Sequence, residues 1–203
     1  MSTGNEYWER KYGAEGFVYG RAPNRFLLEH AGDVLRQGGR VLSLGEGEGR
    51  NAVWMASQGW EVTAVDYSRA AIEKLESFAG EVGVEIDALC KDVLEFDCGR
   101  EAWDALVLLH LHLPPKRRRE LHRRAHQALR PGAVLILEAL RPEQLQRPSG
   151  GPETEELFYT VEDLLKDFEG MEILILEEED RLIEAGEHRG ITSVVSLVAR
   201  KGG

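Results

Sequence analysis

The stretch Val41-Leu42-Ser43-Leu44-Gly45-Glu46-Gly47-Glu48-Gly49-Arg50-Asn51 limits the folds open to this chain more than any other. A short apolar run gives way to glycine at every second position, and a helix-like segment begins at Arg50. A strand that turns directly into a helix does not pair with its successor as a hairpin. It belongs to a parallel sheet whose crossovers are helical. Glycine in such a turn permits positive φ, and without a Cβ it lets another group come close to the backbone.

The same grammar recurs along the chain. Apolar, β-branched runs predict strands over Arg40–Leu44, Glu61–Val65, Val84–Leu89, Ala102–Leu109, Ala133–Ala139, Met171–Glu177 and Ile191–Arg200. Helical patterns fall between them, over Pro23–Leu35, Arg50–Gln58, Ser68–Ala79, Pro115–Leu129 and Thr160–Phe168. Ser68 is placed to cap one helix, Pro114-Pro115 to open another, and Arg130-Pro131-Gly132 to turn the chain before the fifth strand. The last two strands have no long helix between them, so they pair antiparallel at one edge. The expected architecture is a single α/β domain over residues 1–203, with a Rossmann-like seven-stranded sheet, an antiparallel last strand and helices on both faces. Residues 1–37 form an N-terminal cap segment. Residues 140–159, rich in Pro and Gly, form a long loop at the carboxyl edge of the fifth strand, the edge where open α/β sheets bind ligands.

Composition excludes several classes. A net charge of −11 argues against broad nucleic-acid binding. The one basic cluster, Lys116 to Arg119 with Arg123 and Arg124, reads as the solvated face of a helix. No apolar run reaches the roughly 20 residues that span a membrane, and the N-terminus lacks signal-peptide character. Cys90 and Cys98 form neither a disulfide framework nor a metal motif, which suits a cytoplasmic setting. His122 and His126, four apart on a helix, have no third ligand nearby and read as exposed helix residues, so no metal is expected.

The glycine loop fails the dinucleotide pattern G-x-G-x-x-G, because Arg50 stands where the third glycine belongs. Its two carboxylates, Glu46 and Glu48, would repel a pyrophosphate but not a cation. The loop therefore points to S-adenosylmethionine (SAM), which carries a sulfonium and an ammonium. Asp66 ends the second strand 21 residues after Gly45, where a carboxylate accepts from ribose hydroxyls. Asp92 and Val93 follow the third strand and suit an adenine, as hydrogen-bond acceptor and backbone donor. Leu109 and His110, after the fourth strand, belong beneath the cofactor.

Taken in order, Leu44–Asn51, Val65-Asp66-Tyr67-Ser68, Lys91-Asp92-Val93 and Leu129-Arg130-Pro131-Gly132 resemble the successive motifs of class I SAM-dependent methyltransferases over roughly residues 5–200. The resemblance implies a SAM site that also takes in Gly45, Gly47, Arg50, Asn51, Tyr67 and Ser68, with S-adenosylhomocysteine as product. The narrower likeness is to small tellurite-resistance (TehB-like) methyltransferases and, more distantly, to thiopurine methyltransferases. It rests on Tyr7–Tyr12, Tyr19–Asn24, Ser149–Pro152 and Glu187-His188-Arg189. One position departs from the family pattern: Ser43 stands where an acid usually precedes the first glycine, and Glu46 or Glu48 takes over its role.

Transfer of a methyl group from a sulfonium requires alignment of nucleophile, carbon and sulfur but no general acid. His188 and Arg189, before the last strand, are expected to serve the acceptor, one as base and one as anion clamp. The resemblance to the tellurite family points to the same pair. Trp8, Tyr12 and Tyr19 either lid the cofactor or staple the N-terminal segment to the sheet, and Arg21 suits a carboxylate of cofactor or acceptor. The segment Leu111-His112-Leu113-Pro114-Pro115 lacks the acid or amide typical of amide and adenine N-methylation. A small soluble acceptor, a thiol, soft oxyanion or similar, is expected. A SAM-binding regulator without turnover and a nicotinamide-dependent oxidoreductase are the competing readings.

Overall fold

A computed structural model describes residues 4–35, 38–183 and 189–203. The seven apolar runs become seven strands of one sheet: β1 (Arg40–Leu44), β2 (Glu61–Asp66), β3 (Asp87–Cys90), β4 (Trp103–Leu109), β5 (Leu129–Leu140), β6 (Glu172–Ile183) and β7 (Gly190–Arg200). The helices are α1 (Gly4–Tyr12), α2 (Arg25–Val34), α3 (Arg50–Ser57), α4 (Arg69–Val82), α5 (Pro115–Ala128) and α6 (Val161–Asp167). The sheet order is β3-β2-β1-β4-β5-β7-β6. The first five strands run parallel, and β7 lies antiparallel between β5 and β6. After β1 the chain moves outward through β2 and β3 and then returns to place β4 on β1's other side. That reversal opens a crevice between β1 and β4 at their carboxyl ends.

Strand periodicity decides which residues hold the layers together. Val41, Ala105, Val107 and Leu109 face one side and pack with Phe26, Leu27 and Ala31 of α2, Ala52 and Met55 of α3 and Leu75 of α4. Leu42, Leu44, Leu106 and Leu108 face the other and pack with Leu121 and Ala125 of α5 and Leu164 and Phe168 of α6. Ser68 caps α4 as expected, its hydroxyl accepting from the Ala71 N–H at 3.2 Å, and Gly83 ends that helix with φ +80°.

The differences from expectation are local. Strand β5 starts at Leu129 and runs through Arg130-Pro131-Gly132, which the sequence suggests is a turn. Gly132, at φ +77°, absorbs a register shift against β4 within the strand. Strand β3 is shorter and later than the predicted Val84–Leu89. Strand β6 continues past Glu177 to Ile183, because β7 supplies its backbone ladder whatever its side chains are. Helix α1 has no counterpart in the sequence reading, which treats that segment only as a cap. No helix among the described residues is long and apolar enough to cross a membrane.

Candidate cofactor and acceptor site

The glycine loop leaves β1 with Gly45, Gly47 and Gly49 at φ +71°, +67° and +93°. A Cβ on Gly47 would stand 2.8 Å from the Tyr12 hydroxyl oxygen, and one on Gly49 2.6 Å from Leu75. The first helical turn of α3 needs acceptors for its free N–H groups. Glu46 provides one: its Oε1 accepts from Asn51 N at 3.1 Å and Ala52 N at 2.8 Å, and its Oε2 accepts from the Ser43 hydroxyl. A carboxylate is thus brought to Ser43 by Glu46, folded back onto it. Burial pushes its pKa up, against the pull of those hydrogen bonds. Glu48 is engaged differently, accepting from Val18 N at 2.8 Å and pairing with Lys74 at 2.8 Å.

Asp66 ends β2 against this loop. Its Oδ2 accepts from Gly47 N and its Oδ1 from Ser68 N, each at 2.9 Å. A carboxylate has about four acceptor positions, so acceptor capacity remains. Burial raises its pKa, while Ser68 and Gly47 oppose that shift. Tyr67 beside it is half-buried, and burial together with Asp66 pushes its hydroxyl pKa up. Past β3, Asp92 accepts from Leu94 N at 2.8 Å and from Arg117 at 3.1 Å, and Val93 is buried. Arg50 is partly buried and makes no hydrogen bond or ion pair with any described residue. Burial lowers its pKa, and Glu46, Glu138, Tyr12 and Tyr19 are the charged and polar groups it senses. These residues suit SAM: a glycine cradle, a buried acid with spare acceptor capacity, and an unpaired guanidinium for a carboxylate.

The N-terminal aromatics both staple and cover. Trp8 stacks on Tyr12 with ring centroids 5.3 Å apart, Tyr19 lies 6.4 Å from each, and the Lys11 ammonium sits 5.1 Å from the Trp8 ring. The Tyr12 hydroxyl rests on Gly47, so α1 lies over the loop. Glu9 ties α1 down by accepting from the Ser68 hydroxyl at 2.7 Å. Arg21 is engaged elsewhere: it pairs with Glu81 at 2.6 Å and stacks over Phe17 and Phe78. Glu81 lies about 18 Å along α4 from the end that meets Asp66.

Between β4 and β5 the structure assembles a cluster that sequence reasoning missed. Glu138, 2% exposed, accepts on Oε1 from Asn24 Nδ2 at 2.6 Å and faces His110 Nε2 at 3.2 Å. Its Oε2 accepts from Arg181 at 2.7 Å and the Ser196 hydroxyl at 3.1 Å. Burial opposes its charge, but His110, Arg181 and Asn24 outweigh burial and hold the pKa down to about 2. Asn24 also caps α2 and donates its backbone N–H to Asn51 Oδ1 at 2.8 Å, linking the cluster to α3. The available signal was a lone acid inside the apolar strand Val134–Leu140. Leu109 is buried just before His110, and Leu111 just after it covers Gly45.

Two expectations are corrected. The basic helix face is not uniformly solvated. Arg118 is 2% exposed, packs over the Tyr159 ring at 4.7 Å and pairs with Asp163 at 2.8 Å, because α6 folds against α5. His122 is buried rather than exposed, bonded to Asp167 at 2.8 Å and stacked on Phe168, and burial lowers its pKa. No cluster of three metal-binding side chains exists among the described residues. The 140–159 loop is fastened by Gln144, which accepts from Ser193 N at 2.8 Å, and by Ser149, which donates to Ile191 O at 2.8 Å. Arg189 is exposed just before β7, whose first residues lie beside Ser149 of this loop. His188 lies outside the described residues.

Residues 41–132 match the family model of the methyltransferase domain. Over those residues the chain is similar to a methyltransferase domain. No curated protein matches it. TehB from Haemophilus influenzae superposes with a TM-score of 0.73 at 18% identity, covering 97% of this chain and 66% of that one. A Burkholderia thailandensis 1,6-didemethyltoxoflavin-N1-methyltransferase, solved with 1,6-didemethyltoxoflavin and S-adenosylhomocysteine, gives a TM-score of 0.64 at 20% identity, covering 98% and 80%. The [4+2]-cyclase SpnF gives 0.73 at 20% identity, covering 98% and 94%. In this fold the glycine loop, Asp66, Asp92 and His110 all lie at the carboxyl edge of the parallel strands.

Proposed function

We propose that this protein transfers the methyl group of SAM to a small soluble acceptor and releases S-adenosylhomocysteine. The observation that carries the reading is the 2.9 Å hydrogen bond from Gly47 N to Asp66 Oδ2. It brings the loop after β1 and the acid after β2 into one site. Gly45, Gly47, Arg50, Asn51, Asp66, Tyr67, Asp92 and Val93 line that site, with Glu46 and Glu48 bracing it. When bound, SAM supplies an activated methyl carbon on a good leaving group. The chain's part is to align the acceptor and exclude water. Tyr12 and Trp8, lying over the loop, serve the second task. Arg189, with His188 beside it, is assigned to the acceptor at the same edge. Internal neutralisation of Arg117 and Arg118 supports a small molecule over a nucleic acid, and the setting we assign is cytoplasmic.

A second reading is a domain that binds SAM without transferring its methyl group, favoured by the likeness to a [4+2]-cyclase. Calorimetry and labelled SAM separate the two. We expect SAM and S-adenosylhomocysteine to bind and NAD not to, and Asp66→Ala to weaken binding at least tenfold. Label should pass to a small acceptor, with His188→Ala and Arg189→Ala slowing that turnover. NAD binding, or Asp66→Ala binding like wild type, would defeat the SAM site. Normal turnover in both acceptor-side variants would remove His188 and Arg189.

A further inference from the structure

We propose that His110 is the general base for the acceptor, oriented by Glu138, and that the acceptor is a molecule that keeps its proton at neutral pH, such as a phenol, alcohol or thiol. This rests on the methyl-transfer reading above. Three geometric facts carry it. First, His110 follows β4 with φ +56°, a strained conformation for a residue with a Cβ. Backbone strain of this kind persists where the surrounding structure enforces it, and it gathers at functional sites. Here the Glu138 carbonyl oxygen accepts from His110 N at 2.7 Å and fixes the turn. Second, the ring is held from one side only. Its Nε2 faces Glu138 Oε1 at 3.2 Å, with Asn24 Nδ2, which donates to that carboxylate at 2.6 Å, lying 3.4 Å away, whereas its Nδ1 is shielded from solvent and meets no hydrogen-bond partner among the described residues. A carboxylate on Nε2 selects the tautomer with the proton there and leaves the Nδ1 lone pair free. Third, the neighbours place this ring in the cofactor crevice. Leu111 covers Gly45, and Asn24 joins Glu138 to Asn51 of α3.

Glu138 is itself poorly placed to be the base. Asn24, His110, Arg181 and Ser196 occupy its acceptor positions, so an incoming acceptor finds none vacant. Its role is to orient the ring and offset the charge the ring gains. As the acceptor's O or S lone pair forms its bond to the methyl carbon, the carbon–sulfur bonding pair stays on sulfur. The acceptor's proton passes to His110 Nδ1. One positive charge disappears at the sulfonium and one appears on the imidazole beside Glu138, so the site's net charge is unchanged. The imidazolium then gives up that proton to water that enters as the methylated product leaves. An acceptor already ionised, such as a halide or carboxylate, would have no use for this arrangement.

The test uses the full-length protein. SAM affinity is measured first, by calorimetry, for wild type, His110→Asn and Glu138→Gln; Asn is chosen because it tolerates positive φ. Nitrogen-15 shifts of the His110 ring, assigned by their loss in His110→Asn, report its tautomer without any acceptor. Turnover of labelled SAM is then followed over a panel of phenols, alcohols and thiols, with iodide and carboxylates as proton-free controls. We expect the wild-type ring to be protonated on Nε2 and bare on Nδ1. At least one protic acceptor should be methylated, about 100-fold more slowly by His110→Asn when both proteins are saturated with SAM. Glu138→Gln should disturb the tautomer and slow the same reaction about tenfold. A proton on Nδ1, His110→Asn within threefold of wild type on a protic acceptor, or methylation of the proton-free controls alone each overturns the proposal while leaving methyl transfer intact. Bound SAM with no acceptor methylated overturns it together with the enzyme reading. Wild type failing to bind SAM overturns the underlying site.

Discussion

Glu138 is a charged group that solvent scarcely reaches, and its energetics are set by its partners. Its ordinary pKa of 4.5 falls to about 2 in the fold, where His110, Arg181 and Asn24 outweigh the effect of burial. A depressed carboxyl pKa means that the unfolded chain takes up the proton first. The stabilisation is therefore complete above about pH 4.5 and is lost as pH falls towards 2. A shift of this size corresponds to a difference on the order of 3 kcal/mol. Glu138→Gln should be less stable than wild type at pH 7, and its stability should fall less steeply between pH 4.5 and 2, by up to about one proton. Denaturant unfolding at a series of pH values measures this, and parallel pH profiles for the two proteins would refute it. The meeting of the glycine loop with Asp66 was readable from sequence because glycine spacing and strand-end acids are local signals. The Glu138 cluster was not, since Asn24, His110, Glu138 and Arg181 come from four distant elements. Arg181 also lies beyond the predicted end of its strand.

Helix α5 shows how an element can satisfy its pattern and still hide its main anchor. Its sequence Lys116-Arg117-Arg118-Arg119 reads as a solvated face, and nothing local distinguishes Arg118 from its neighbours. Docking of α6 buries Arg118 between the Tyr159 ring, Asp163 and Asp167, with His122 also on Asp167. The strand and helix positions were recoverable because each needs only its own periodicity and caps. The identity of the residue that joins two helices depends on which faces meet. Removing one member of a buried ionic group leaves the others uncompensated, typically at about 3–5 kcal/mol. Arg118→Ala should cost about 3 kcal/mol, the low end of that range, because His122 still faces Asp167 and Asp163 is partly exposed. Arg118→Lys should recover only part, since an ammonium lacks the planar fork and stacks less well on Tyr159. Equilibrium unfolding checks both, and an Arg118→Ala midpoint equal to wild type would rule out this anchoring role.

Across the whole molecule, the sheet must end somewhere, and its two edges end differently. The β3 edge has four residues, too short to template another chain. The β6 edge has twelve residues and one side that no described strand pairs with, a form that invites edge-to-edge association. Glu177, Glu178, Glu179 and Asp180 lie along it, and Leu182 beyond them is 64% exposed. Asp180 is paired with Arg141 and Arg147, so repulsion between copies would come chiefly from Glu177 and Glu178, and the net charge of −11 adds to it. Glu179 also pairs with Arg181 at 2.7 Å, so it is better left in place. Replacing Glu177 and Glu178 with Thr tests the idea. Threonine suits a strand, and the side chains removed are exposed, so unfolding should change by less than about 0.5 kcal/mol. The doubly substituted protein should nevertheless self-associate as concentration rises, and more strongly at 1 M salt, where the Debye length shrinks to about 3 Å. Light scattering would show the mass increasing. If the mass matched wild type at every concentration and salt level, the acidic row would not be what guards this edge.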